Sequence, residues 1–153
     1  EIEHGRLVLY DNTTLVYAGS TAWTDYELSV TAYFCRDTDP MGGGLSRADI
    51  ILRSGGHRQD EYRIGISPWG LYEFVQYKTG VMTVVKSDTC PFPITNPVNI
   101  TVTAIGDELG LFLNGNYVDN YIDPDPLSAG RMGLGVEGSA AETCFDNVMV
   151  RRR

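Results

Sequence analysis

Leu109-Gly-Leu-Phe-Leu-Asn-Gly-Asn-Tyr-Val118 is the stretch that decides the fold class. Asn114-Gly115 separates two alternating runs, and Asn-Gly is the preferred pair for a two-residue type I′ hairpin turn, in which both central residues need positive φ. Upstream, Val98-Asn-Ile-Thr-Val-Thr-Ala-Ile105 alternates in the same way and enters the hairpin through Gly106-Asp-Glu108. Downstream come a polar turn, Asp123-Pro-Asp-Pro126, a Gly-rich strand, Arg131-Met-Gly-Leu-Gly-Val136, and a closing strand over Thr143 to Val150 that contains Phe145-Asp-Asn-Val148.

The rest of the chain reads the same way. Leu7 to Tyr10 opens, and Thr14 to Tyr17 forms a short second piece. Trp23 to Phe34 is a long strand of period two. Tyr26, Leu28, Val30, Ala32 and Phe34 share its packed face, and Glu27, Ser29, Thr31 and Tyr33 its solvated one. Trp23 is expected in the core. Asp37 to Arg47, with Gly42-Gly-Gly44, reads as a loop. Ala48 to Arg53, Glu61 to Ile66, Leu71 to Lys78 and Met82 to Lys86 follow, each bounded by Gly, Pro, Asp or Ser. No window carries the i, i+3, i+4 spacing of an amphipathic helix. Roughly ten to twelve short strands at hairpin spacing predict an all-β, two-sheet antiparallel β-sandwich.

Composition sets the outer bounds. A chain of 153 residues that is 42% hydrophobic can bury one good core, so 1–153 is expected to be one domain and a monomer. A formal charge of −8 argues against a nucleic-acid surface, which needs a basic face. Arg151-Arg152-Arg153 is the one basic cluster and reads as a solvated tail. No apolar run approaches the ~20 residues that span a bilayer. The chain opens at Glu1 without a Met and with no signal-peptide pattern, which reads as a mature chain or a domain excised from a larger multidomain protein.

Together these residues resemble a known fold family. Gly5-Arg-Leu, Trp23-x-Asp-Tyr26-x-Leu-x-Val30, an apolar strand ending in Arg53, and Glu61-Tyr-Arg-Ile64 resemble the concanavalin A-like jelly roll. So do Gly70-x-Tyr-x-Phe74, the Asn114-Gly115 hairpin, Ser128-Ala-Gly-Arg-Met-Gly133 and Phe145-Asp-Asn-Val148. The resemblance is to the laminin-G-like and 3-keto-disaccharide hydrolase-like branch, and it spans about Gly5 to Val150. It implies a jelly-roll sandwich, an extracellular or cell-surface setting as an accessory module, and glycan binding.

Sugars bind such scaffolds by stacking on aromatic rings and by hydrogen bonds from planar charged groups to their hydroxyls. With Ile50, Leu52, Tyr62, Ile64, Ile66, Tyr72 and Phe74 facing the core, the opposite parity presents Arg53, Arg63, Glu73 and Tyr77 on one outer surface. Trp69 sits in the adjoining turn, Ser67-Pro-Trp-Gly70. These five residues are the expected ligand contacts. The plainer reading makes Trp69 a plug at a sheet edge and the charges an ordinary solvated face.

Asp146 falls on the inward parity with Val148 and Val150. A buried carboxylate must be paired, bonded or metal-bound. Calcium would suit it, with Asp25 or Glu3 as a second carboxylate, and similar sandwich modules bind a structural calcium near such an Asp. Otherwise Asp146 accepts backbone N–H bonds. Asp37, Asp39, Asp123 and Asp125 are further loop carboxylates. The chain lacks the Glu-x-Asp-x-x-Glu strand of retaining glycosidases on this sandwich, which leaves Glu61 and Glu73 as the carboxylates on neighbouring strands. Asn12-Thr-Thr14 and Asn99-Ile-Thr101 match the glycosylation acceptor.

Cys35, Cys90 and Cys144 are too few and too odd in number for a disulfide scaffold and have no zinc-finger spacing, and His4 and His57 lie in polar, turn-like contexts with nothing that points to a cysteine partner. Cys35 and Cys144 fall on strands expected to pair. Their parities differ, so a bridge between them needs a bulge. Otherwise Cys144 is a core thiol or pairs with Cys90; the bridge expected is Cys35–Cys144. The expectation is a non-catalytic carbohydrate-binding module that needs no cofactor beyond a structural calcium. A protein-interaction or spacer module, and a sugar hydrolase acting through Glu61 or Glu73, are the alternatives.

Overall fold

The computed structural model describes residues 2, 3, 6–10, 15–36, 47–56, 58–137 and 142–153, and every described element is a strand. In chain order these are β1 (Ile2–Glu3), β2 (Arg6–Tyr10), β3 (Leu15–Ala18), β4 (Tyr26–Arg36), β5 (Arg47–Gly56), β6 (Asp60–Ile66) and β7 (Leu71–Lys78). Then follow β8 (Val81–Thr89), β9 (Val98–Ile105), β10 (Glu108–Leu113), β11 (Asn116–Ile122), β12 (Arg131–Glu137) and β13 (Glu142–Arg152). They build a 7-stranded sheet, β1-β2-β13-β4-β9-β10-β11, and a 6-stranded sheet, β3-β12-β5-β6-β7-β8. Neighbours pair antiparallel throughout. No helix among the described residues is long and apolar enough to cross a membrane.

The diagnostic hairpin forms as its sequence demands. Leu113 pairs with Asn116, and the two residues between them, Asn114 and Gly115, have φ of 49° and 79°. The core lies between the sheets, with Tyr26, Leu28, Val30 and Ala32 of β4 fully buried beside Ile100, Val102 and Ala104 of β9. Across from them lie Ile50 and Leu52 of β5, Tyr62, Ile64 and Ile66 of β6, and Phe74 of β7. Each such aliphatic or aromatic side chain contributes about 1.5–3 kcal/mol by leaving water, so alternation alone specifies these five strands. Trp23 packs against this core, edge-on to Tyr26 at 5.9 Å between ring centres.

Register shifts interrupt several of the strand pairs, and three of them move a residue of interest. In β5 the register shifts between Leu52 and Gly56, and Arg53 takes φ 50°. Its side chain therefore leaves the outer face. In β13 the register shifts between Asp146 and Met149 around Asn147, φ 52°. Ahead of that bulge Phe145 is the buried residue and Asp146 stands opposite Thr31 on the solvated face; beyond it Val148 is exposed and Val150 packs on the core. The inward position expected for Asp146 is thus reversed. The third bulge, between Glu142 and Thr143, leaves Cys35 without a cross-strand partner while Cys144 pairs with Tyr33, so both cysteines belong to the outer face. The parity mismatch expected for them does not occur.

The terminal arginines are not a free tail. β13 runs to Arg152, with Arg151 opposite Glu27, and Arg153 Nη2 donates to Glu27 Oε2 at 2.8 Å. The side chain of Glu3, and His4, Asn12 to Thr14, Asp37, Asp39, Gly42 to Gly44 and His57, lie outside the described residues.

A charged floor on the six-stranded sheet

Strand register fixes which residues share the outer face of the six-stranded sheet. One row across it reads Tyr17, Gly133, Ile51, Arg63, Val75 and Val84. The next reads Gly135, Asp49, Gly65, Glu73 and Ser87. Charged residues on an outer sheet face are normally exposed. Here Asp49, Glu61, Arg63 and Tyr77 are 1%, 0%, 3% and 8% exposed. Charges this buried must be paired, and these are.

Arg63 is the centre of one cluster. Its Nε and Nη2 donate to Glu61 Oε1 at 2.8 and 2.5 Å, and Nη1 lies 3.8 Å from Asp49 Oδ2. The second oxygen of Glu61 accepts from Ser54 Oγ at 2.9 Å and from Tyr17 Oη at 3.2 Å. The Tyr77 ring sits 5.1 Å from the guanidinium carbon, within cation–π range. Arg47 is the centre of the other: Nε donates to Asp49 Oδ1 at 3.0 Å, and its two terminal nitrogens bond Glu73 and Glu137. Arg131 stacks over Tyr17 at 5.5 Å, and among the described residues its buried Nε has no hydrogen-bond partner.

Two glycines make room for this floor. A Cβ at Gly65 would stand 2.7 Å from Arg47 Cδ and 2.9 Å from Asp49 Oδ1; one at Gly133 would stand 3.0 Å from Tyr17 Cδ1. The guanidinium and the phenol can therefore lie flat over the sheet.

The electrostatics follow from burial. Burial pushes Asp49 up to about 6 against the pull of Arg47, with Glu137 adding to the rise. Burial also works against the Arg47 charge, but Asp49, Glu137 and Glu73 outweigh it and the guanidinium holds its proton more tightly than usual. Tyr17 is pushed up to about 12 by burial and then by the neighbouring Glu61. The result is a set of planar donors and acceptors, held in fixed rotamers beside two phenol rings. Such groups bond vicinal hydroxyls without having to be ordered first.

Of the five expected contacts, Arg63, Glu73 and Tyr77 share this face. Trp69 stands 47% exposed in the β6–β7 turn, beside exposed Leu71, at the end where Glu73 lies. That turn is fixed by Gly70 N donating to Ser67 O at 3.1 Å and Leu71 N to Ser67 Oγ at 3.0 Å. Arg53 does not belong to the face. It is 2% exposed and clasps three connections: Nε donates to Thr24 O at 3.0 Å, Nη1 to Gly106 O at 2.7 Å and Leu127 O at 2.8 Å, and Nη2 to Asp25 Oδ1 at 3.1 Å.

Arg47, Asp49, Glu137, Tyr17 and Arg131 were not singled out by the sequence reading. Arg47-x-Asp49 continues the outward parity of β5, and Glu137 that of Gly133 and Gly135. Extending each strand by one residue would have added Arg47 and Glu137; Asp49, Tyr17 and Arg131 already lay within expected strands.

Glu61 and Glu73 stand opposite Tyr77 and Gly65, so they are offset by four residues along the strands, roughly 13 Å. Each is also engaged by an arginine. The separation does not match the roughly 5 Å of a retaining carboxylate pair or the 6.5–9.5 Å of an inverting one. Among the described residues Asp146 pairs with the cation Arg6, Nε to Oδ2 3.8 Å, while the side chain of Glu3, one of its two expected calcium partners, lies outside them. Asp25 lies six residues before Thr31, the cross-strand partner of Asp146, roughly 20 Å away along β4.

No family model and no curated protein sequence matches the chain. Solved structures do match in shape. The carbohydrate-binding module CBM66 from Bacillus subtilis superposes with a TM-score of 0.68 at 18% identity, covering 94% of this chain and 99% of that one. Sheep galectin-11 gives 0.64 at 17% identity, over 90% and 96%. The GH43 BlXynB protein from Bacillus licheniformis gives 0.69 at 12% identity, with 97% of this chain matched to 33% of that chain. The fold is a lectin-like jelly roll. At these identities the likeness establishes the concanavalin A-like architecture, as the hairpin and closing strand led one to expect.

Proposed function

We propose that this chain is a non-catalytic carbohydrate-binding module that serves a larger extracellular protein and holds a saccharide on the outer face of its six-stranded sheet. The carrying observation is the Arg47–Asp49–Glu73–Glu137 and Arg63–Glu61–Tyr17 floor, in which Asp49, Glu61 and Arg63 are buried and Arg47, Glu73, Glu137 and Tyr17 half-buried, which lies on an outer face and is flanked by the Tyr77 ring. Planar ion pairs supply hydroxyl donors and acceptors, Tyr17 and Tyr77 supply ring faces, and exposed Trp69 supplies a stacking platform at the rim. Of the arginines on this face, Arg131 has no carboxylate partner among the described residues and is offered to a ligand oxygen. Likeness to a carbohydrate-binding module and to a galectin supports the reading.

The test is a glycan and polysaccharide binding screen of the purified domain. Saturable binding that Arg131→Ala and Trp69→Ala each weaken at least tenfold supports it. A blank screen overturns it.

A second reading rests on a different surface. β8 is an edge strand on which Val81, Met82 and Val84 are 65%, 57% and 46% exposed, an apolar strip suited to a protein partner. Under that reading Met82→Lys abolishes partner capture while saccharide binding stays absent.

A further inference from the structure

We propose that Cys35, Glu142 and Cys144 form a binding site for a thiophilic divalent cation, with Zn²⁺ as the type ligand. The site lies on the outer face of the seven-stranded sheet, remote in the fold from the charged floor. It exists because of the bulge at its centre. Thr143 pairs with Phe34 and Glu142 with Arg36, which leaves Cys35 as the extra residue. A bulge re-aims a side chain, and here it brings one sulfur of β4 to one sulfur of β13.

The two Sγ atoms and a Glu142 carboxylate oxygen all lie within 4.8 Å of one another. Around Zn²⁺, with bonds of about 2.3 Å to sulfur and 2.0–2.2 Å to oxygen, tetrahedral ligands stand roughly 3.3–3.8 Å apart. The three donors therefore need to close by at most about 1–1.5 Å, which side-chain rotation on two adjacent strands can supply. Neither cysteine is tied up in a disulfide. Exposed Cys35 gives the ion a route in from solvent, and buried Cys144 gives the site a fixed wall.

The donor chemistry favours an ion over a simple thiol pair. Two sulfurs alone would serve a disulfide; the carboxylate beside them adds nothing to one, but completes a third metal bond. Two thiolates, one carboxylate and a divalent cation sum to one negative charge. Arg6, whose guanidinium carbon lies 3.9 Å from the ring centre of Tyr33, the cross-strand partner of Cys144, is placed to balance it. Three protein ligands leave the fourth tetrahedral position to water, as in open zinc sites.

The test uses the full chain, reduced and kept anaerobic, titrated with Co²⁺ and then with Zn²⁺ against a chromophoric chelator. The expected result is one ion per chain, a near-ultraviolet thiolate-to-cobalt band, and protection of two thiols from alkylation by Zn²⁺. Cys35→Ser, which alters an exposed side chain and leaves the core intact, should abolish the band. Glu142→Gln removes one of the three ligands and should weaken Zn²⁺ by more than about tenfold, the least that losing even a group supporting a ligand costs. Absence of the thiolate–cobalt band in the reduced wild-type chain overturns the proposal. So does Zn²⁺ binding of equal affinity in Cys35→Ser.

Discussion

Replacing Arg53 by Met tests the clasp that the β5 bulge creates. The guanidinium, 2% exposed, donates to three backbone carbonyls, those of Thr24, Gly106 and Leu127, and to Asp25. Met fills most of the same volume but leaves the three carbonyls without a donor. Hydrogen bonds to charged groups contribute about 1.5–3 kcal/mol each, yet bonds to one guanidinium are lost as a unit and do not add. The Asp25 ion pair adds little, because that carboxylate is 38% exposed and water replaces its partner. Breaking a buried charged cluster costs about 3–5 kcal/mol. Against a total stability of roughly 5–15 kcal/mol, that loss lowers Tm by about 6–20 °C.

Urea unfolding of both proteins should show a lower midpoint for Arg53→Met at an unchanged m-value, with saccharide affinity of the remaining folded protein unaffected. A loss below about 1 kcal/mol would refute the clasp. So would full stability with lost saccharide binding, which would return Arg53 to the ligand face.

Other positions give independent checks. Gly130→Ala would place a Cβ 2.2 Å from the Arg53 carbonyl carbon, a backbone atom that cannot swing aside, and should cost more than about 2 kcal/mol by the same urea assay. Gly65→Ala drives into Arg47 and Asp49, so it should weaken saccharide binding several-fold while destabilising the fold by about 1–3 kcal/mol; unchanged affinity would separate Arg47 from the site. Asp49, pushed up to about 6, carries a proton in the folded chain across a window where the unfolded chain, titrating near 4, has lost it. The folded state then binds the extra proton, and this group's contribution to stability falls as pH rises from about 4 to 6. Asp49→Asn should therefore gain stability relative to wild type between those pH values, and a relative loss would contradict the burial argument.

Much of the fold was legible because alternation and turn chemistry are local. Asn114-Gly115 dictates its own hairpin, and Tyr26-x-Leu28-x-Val30-x-Ala32 or Tyr62-x-Ile64-x-Ile66 can bury one face in only one register. What escaped the sequence were the bulges, because the forces that place them are not local. The chain turns at Arg53 because distant carbonyls at Gly106 and Leu127 accept its guanidinium, and because Gly130 lets the backbone approach. At Asn147 and Cys35 the same kind of slip reversed the faces of Asp146 and Cys144. The site was legible in part for the same reason. Arg63, Glu73 and Tyr77 lie on regular stretches where parity holds, whereas Arg47 and Glu137 stand at strand ends, where composition alone does not say whether the strand continues. Arg47 read as the end of a Gly-rich loop, and only pairing with Ile66's neighbourhood through β5 shows it as the hub of an ion cluster.

The central claim is that a saccharide lies on the outer face of the six-stranded sheet. Backbone amide chemical-shift mapping during titration with a hit from the glycan screen tests it most directly. The largest shifts are expected on Arg47 to Ile51, Glu61 to Gly65, Glu73 to Tyr77 and Arg131 to Glu137, with the Trp69 indole N–H moving alongside them. Shifts confined to β4, β9 and β10 of the opposite sheet, with the Trp69 indole unmoved, would contradict it.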